Sequence, residues 1–313
     1  MGTRMKYMAM TFFDRNAETV RATFAGLSLP GNHVDVLAVC FDRADEPQRE
    51  RVRAECKRLG ITLREASLVD DYVGPRCPSR AWNLAYGLIP EATHCFSMSS
   101  DVVLAPRAID MAYYYAQILP NHLIIARAEH SGSSYFWNQQ LVFSNGGNAN
   151  IICRTMTCSY APSPLGFAWL MPMKEFRQIG GFDEIYMGGY CYEDDDFVLR
   201  LWNAGVDFVF IDDIVGFHLE HKRDHLRDED GRVSINAKIF KDRWGRQDAV
   251  RGLTETLSIS NRVRIGNIGL GFWLHNDDEG IISRVNKHQF FYGKDEPWRA
   301  IVPKESYEAP VSK

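Results

Sequence analysis

The chain has 313 residues, 45% of them hydrophobic and 24% charged, which is enough apolar content to bury a substantial core. Its formal charge of −4 and pI near 6.2 leave no global basic footprint, so any nucleic-acid contact has to be local. Its seven cysteines are scattered, odd in number and without a CxxC pair, which predicts neither a disulfide framework nor a zinc site and fits a reducing compartment.

Lys6 to Phe13 (KYMAMTFF) reads as a buried first strand, broken by Asp14-Arg15-Asn16 and followed by a helix through about Leu27. Val34 to Phe41 (VDVLAVCF) is a second, near-continuous apolar run of the kind used in parallel sheets. After Asp42-Arg43-Ala44-Asp45 comes a charged amphipathic helix from about Pro47 to Leu59, then a short strand from Ile61 to Glu65. This strand–helix alternation predicts a mostly parallel α/β sheet flanked by helices, with ligands beyond the carboxyl ends of the strands. Asp14, Asp42 and Asp45 stand at such ends.

Pro78 to Leu88 (PSRAWNLAYGL) is predicted helical and carries Arg80 and Asn83. Arg80 is either a solvated surface charge or a phosphate contact, since a guanidinium binds such oxygens bidentately. His94 to Pro106 reads as a strand that ends at Ser99-Ser100-Asp101, with Val102 to Leu104 continuing past it. A lone carboxylate between apolar runs has to be exposed or paired, and metal coordination is one way to satisfy it. A helix from Ala108 to Ile118, a strand from Leu123 to Ala126 and an irregular excursion from Glu129 to Ser163 follow, the last expected to shape a pocket. Gly166 to Pro172, with Trp169, resumes strand character, and Lys174 to Ile179 is a short helix.

The stretch from Gly180 to Gly205 contains four consecutive acidic residues, Glu193, Asp194, Asp195 and Asp196, before an amphipathic run ending at Gly205. Phe197, Val198, Leu201 and Trp202 recur at helical spacing, so the acids belong to a helix N-terminus, where the dipole favours negative charge. Capping accounts for one or two of the four; like charges crowded further need a metal, a substrate or another function. Val206 to Ile211 is another strand, and Val215 to His225 carries His218, His221 and His225. Ile235 to Trp244 is a helix, and beyond it the pattern loses its period. No run approaches the ~20 apolar residues of a membrane span, and the chain opens on a strand rather than a leader, so the expectation is a cytoplasmic protein. An Asp, a His and further carboxylates suit Mn²⁺ or Mg²⁺ with open positions for a diphosphate.

The order of these pieces over residues 5 to 245 resembles the GT-A fold nucleotide-sugar glycosyltransferases, close to the family-two group and the β-1,4-galactosyltransferases. MTFFDRN resembles the first-strand turn approaching the nucleoside, which implies Thr11 there; VLAVCFDRADE is similar to the second strand, implying Asp42 at the base, with Asp45 second. SRAWNLAYG resembles the Arg/Asn helix before the DxD strand, and GGFDE followed by EDDDFVLRLWNAG resembles the acceptor-side motif.

The resemblance implies roles residue by residue. Asp101 falls on the last aspartate of the DxD element and would bind the metal; Ser99 replaces the first, giving Ser99-Ser100-Asp101 as the donor contact. His221, with His218 beside it, matches the late metal-binding histidine. Asp194 falls on the catalytic base, supported by Glu193, with Asp195 and Asp196 as hydroxyl ligands or helix caps. Gly181 lies in the acceptor motif and Trp169 is a sugar platform or plain core. The implied activity is an inverting, metal-dependent transfer of a sugar from a nucleoside diphosphate, UDP first, to an acceptor hydroxyl. The acceptor is a saccharide, a protein, a lipid-linked intermediate or a modified nucleobase, the last as in phage-type enzymes. A non-catalytic sugar-nucleotide-binding module and a glycoside hydrolase are the competing readings. The implied organisation is a domain over 1–245, split into a nucleotide-binding half (1–127) and an acceptor half (128–245), with 246–313 as a lid or homo-oligomer contact.

Overall fold

The computed structural model describes residues 5–12, 17–42, 44–68, 77–130, 168–219 and 231–245. Among the described residues, eight strands form one sheet: β1 (Tyr7–Phe12), β2 (Val36–Asp42), β3 (Thr62–Leu68), β4 (His94–Met98), β5 (Val102–Leu104), β6 (His122–His130), β7 (Ala168–Pro172) and β8 (Asp207–His218). Their spatial order is β3-β2-β1-β4-β7-β6-β8-β5. The described helices are α1 (Ala17–Leu27), α2 (Glu46–Leu59), α3 (Ser79–Gly87), α4 (Ala108–Ile118), α5 (Met173–Gln178), α6 (Glu193–Asn203) and α7 (Arg232–Trp244). A 3₁₀ turn, Glu184–Gly188, precedes α6.

Strand alternation divides the core into two layers. Met8, Met10, Phe12, Leu37, Val39 and Phe41 face α1, α2 and α4. Tyr7, Ala9, Val36, Ala38 and Cys40 face α3, α5, α6 and α7. Successive side chains of a strand point to opposite faces, so a fully buried central strand must be apolar throughout, as β1 and β2 nearly are. The result is the mostly parallel sheet between helical layers that the sequence predicts, compatible with a Rossmann-like GT-A fold.

Several local expectations change. Val102 to Leu104 does not continue β4: the chain turns at Ser99–Asp101, and β5 pairs with β8 at the far side of the sheet. A run of three apolar residues carries no information about which neighbour it joins. β8 extends unbroken to His218, past the acidic pair Asp212-Asp213, because it pairs with β6 along its length through a bulge at Ala126/Arg127. Asp45 is the α2 N-cap, accepting from the Gln48 N–H at 2.8 Å, which is a structural use of that residue.

Candidate active site at the carboxyl rim of the sheet

Strand direction gathers the chemistry. β1, β2, β3 and β4 run parallel, β7 opposes β4 and β6, and β8 runs with β6 against β5. The carboxyl ends of β1, β2, β3, β4, β6 and β8 therefore share one rim with the amino ends of β5 and β7. The excursion expected over residues 129–163 leaves after β6 and rejoins at β7, both at this rim; residues 131–167 lie outside the described residues.

Thr11 and Asp42 stand at the rim ends of β1 and β2, 3% and 0% exposed, and the strand alternation directs both to the face that carries α3 and α6. Ser99, Ser100 and Asp101 form the turn after β4, with Ser100 and Asp101 buried. That turn is anchored from behind: the Thr23 hydroxyl donates to the Ser100 carbonyl at 2.8 Å. From the side, the Leu219 N–H donates to the Asp101 carbonyl at 2.8 Å. Because Val102 pairs with His218, the sheet puts the β8 terminus directly beside Asp101. Two metal candidates far apart in sequence thus become backbone neighbours. His221 lies outside the described residues, as does Asp14. Among the described residues no three His, Cys, Asp or Glu side chains converge as a complete ligand set. A carboxylate and an imidazole are the donor types that suit Mn²⁺ or Mg²⁺, and Asp101 and the His218 backbone position are the nearest pair the described sheet offers.

The other wall is built from α3 and α6. α3 follows β3, so its first turn, with exposed Arg80, opens at the rim. Gly205 (φ +86°) ends α6, as its position in the sequence predicts, and β8 then starts at the opposite rim. The amino end of α6 therefore faces the same rim as Asp42 and Asp101. Glu193 and Asp194 are crowded by protein, and burial raises the pKa of both carboxyls above their ordinary values. The neighbouring Asp194 charge pushes Glu193 further up, while a hydrogen bond from the Asp195 N–H at 2.9 Å opposes the rise at Asp194. A carboxyl raised above its ordinary range is a stronger base than an exposed one.

Asp196 is a correction to the sequence reading. It has no solvent exposure. Its carboxylate accepts from Arg200 Nε at 2.7 Å, Arg243 at 2.9 Å, the Trp244 indole at 2.9 Å and the Tyr186 hydroxyl at 3.3 Å. Four donors leave it neither a hydroxyl ligand nor a helix cap. It bolts α6 to α7. Trp169 is likewise 2% exposed, its indole donating to Tyr86 Oη at 3.2 Å and its ring stacked against Phe182 and Phe197, so it is core and not a sugar platform. Gly181 (φ +75°) lies against Asn83, whose side chain donates to the Phe182 carbonyl and accepts from the Phe182 N–H. Its glycine is required for that close approach.

The structure joins to the acidic run three residues that the sequence does not connect with it. Cys77 Sγ lies 3.2 Å from Glu193 Oε2, and buried Asn236 reaches Cys77 and the loop before α6. Arg243 ties Asp196 to Asp183. No local signal marks them, because each partner is distant in the chain.

Residues 156–224, which include β7, α5, α6 and β8, match the family model described as the N-terminal domain of galactosyltransferase. The match spans less than a quarter of the chain and likens that part, which carries the acidic helix start, to galactosyltransferases. No curated protein matches the chain. No described helix is long and apolar enough to cross a membrane.

Proposed function

We propose that the chain is an inverting glycosyltransferase that moves a hexosyl group from a nucleoside diphosphate donor, UDP first, to an acceptor hydroxyl. The observation that carries this reading is the placement of Asp194, a carboxyl raised by burial, on the rim that also holds Thr11, Asp42 and the Ser99–Asp101 turn. Donor and acceptor confined on one rim gain the orientation that a bimolecular displacement otherwise lacks.

In the proposed reaction Asp194 takes the acceptor hydroxyl proton as that oxygen attacks the anomeric carbon. The bond from that carbon to the diphosphate oxygen breaks in the same displacement, inverting the centre. Asp42 and Thr11 hold the nucleoside, and Arg80 at the opening of α3 faces the diphosphate charge. Glu193 and Asp195 orient acceptor hydroxyls around the base. Asp101, with His218 or His221, would hold Mn²⁺ or Mg²⁺, which supplies charge stabilisation at the departing diphosphate.

Ser99, standing where the resembled family carries an aspartate, favours one alternative: a module that binds the sugar nucleotide without transferring it. A thermal-shift panel of nucleotide sugars with and without Mn²⁺ addresses both. Stabilisation by a nucleoside diphosphate together with product formation supports the transferase. Stabilisation without turnover toward saccharide, protein or modified-nucleobase acceptors supports the module, and no stabilisation by any nucleoside diphosphate sinks both.

A further inference from the structure

The loop between the 3₁₀ turn and α6 is unusual in its backbone. Cys191 and Tyr192 both have positive φ, 60° and 67°, although neither is glycine. Consecutive left-handed residues of this kind cost free energy and persist only where the surroundings over-determine them. The surroundings here come from two distant elements. Asn236, in the first turns of α7, has no solvent exposure, and its Nδ2 lies 2.9 Å from the Tyr186 carbonyl, 2.9 Å from the Cys191 carbonyl and 3.1 Å from Cys77 Sγ. Both carbonyls can only accept, so the amide nitrogen has to face them. The Tyr190 N–H donates to the Arg232 carbonyl at 3.1 Å, a second tie to the same helix. Gly189 leaves room for this contact: a Cβ there would stand 2.4 Å from Asn236 Oδ1 and 2.5 Å from the Arg232 carbonyl.

Cys77, just ahead of α3, closes the arrangement. Its sulfur accepts from Asn236 and lies 3.2 Å from both the Gly189 carbonyl and Glu193 Oε2. The thiol therefore spans the start and the end of the strained loop.

We propose that Cys77 and Asn236 are positioning residues, a cross-brace from the approach to α3 and from α7 that holds the 186–192 segment and thereby sets where the Glu193 and Asp194 carboxyls stand at the rim. The brace acts through the loop and touches no reacting atom. Its catalytic consequence rests on the reading of Asp194 as the base; its structural consequence does not. α7 lies outside the matched residues 156–224, so the acceptor-side geometry depends on a helix that the family match does not reach.

The test compares Cys77→Ala, Cys77→Ser and Asn236→Ala with Lys238→Ala, a change on the exposed face of α7. Amide hydrogen exchange over residues 186–196 is the first readout. Asn236→Ala and Cys77→Ala should exchange there about tenfold faster than the parent, the local cost of a lost buried hydrogen bond, while Lys238→Ala matches the parent. Transfer kinetics with UDP-sugar is the second. Acceptor kcat/KM should fall about tenfold or more with the UDP Kd unchanged within about twofold, and Cys77→Ser, which keeps a donor, should recover most of the loss. Parental exchange rates in both alanine variants overturn the brace. Equal weakening of UDP and acceptor, or no recovery with serine, overturns its positioning role. A parent protein with no transfer activity sinks the glycosyltransferase reading alone, and the exchange result still decides the brace.

Discussion

Asp196 and Arg243 are 47 residues apart in sequence and 2.9 Å apart in space, a fully buried carboxylate accepting from a guanidinium of the last described helix. Arg200, Trp244 and Tyr186 complete its coordination, so the fourth residue of the acidic run serves the architecture and leaves Glu193, Asp194 and Asp195 to the rim. Removing one member of a buried charged network strands the others. Asp196→Ala is expected to cost about 3–5 kcal/mol of unfolding free energy, measured by denaturant titration. A loss below about 1 kcal/mol would show that α6 and α7 are not joined through this residue.

Asp194→Asn separates chemistry from binding. The amide keeps the size of the carboxyl but cannot take the acceptor proton. Transfer should fall by about 10²–10⁴-fold while calorimetry finds the UDP affinity unchanged. Retained turnover in this variant excludes Asp194 as the base.

The raised carboxyls also give a pH signature. A base held above the usual carboxylate range places the acidic limb of kcat above that range, where an unperturbed aspartate gives a limb near pH 4. Stability runs the other way. Between the ordinary carboxylate pKa and the raised folded value, the folded protein binds more protons than the unfolded chain, so stability falls as pH rises across that window. Glu193→Gln removes one titrating group and should show a shallower decline, leaving the variant more stable than the parent above neutrality. Thermal melts from pH 4 to 9 decide it, and parallel curves for the two proteins count against burial as the cause.

Neighbouring glycines provide an internal control for the packing at α3. Gly180 and Gly181 have φ of +77° and +75°, but only Gly181 is crowded, with a Cβ there falling 2.5 Å from Asn83 Oδ1. Gly180→Ala should cost about 1 kcal/mol, the backbone penalty alone. Gly181→Ala should cost about 2–3 kcal/mol because it also displaces the Asn83 bonds to Phe182. Equal losses would mean that Asn83 gives way freely.

Much of this protein is written in local pattern. The apolar runs of β1 and β2, the Asp45 cap and Gly205 at the end of α6 act through neighbours in the chain, so composition and spacing reveal them. The same locality made Glu193–Asp196 visible as an acidic helix start beside a resembled motif. What local pattern cannot express is partnership across the fold. It does not say that Val102 to Leu104 leaves β4 to pair with β8, or that Trp169 turns inward onto Phe182 and Phe197. It also cannot divide four adjacent acids into one sealed by Arg200, Arg243 and Trp244 and others left at the rim. Those outcomes depend on which side chains arrive from distant segments and exclude water, and only the tertiary structure brings Cys77, Asn236 and Arg243 to the acidic run.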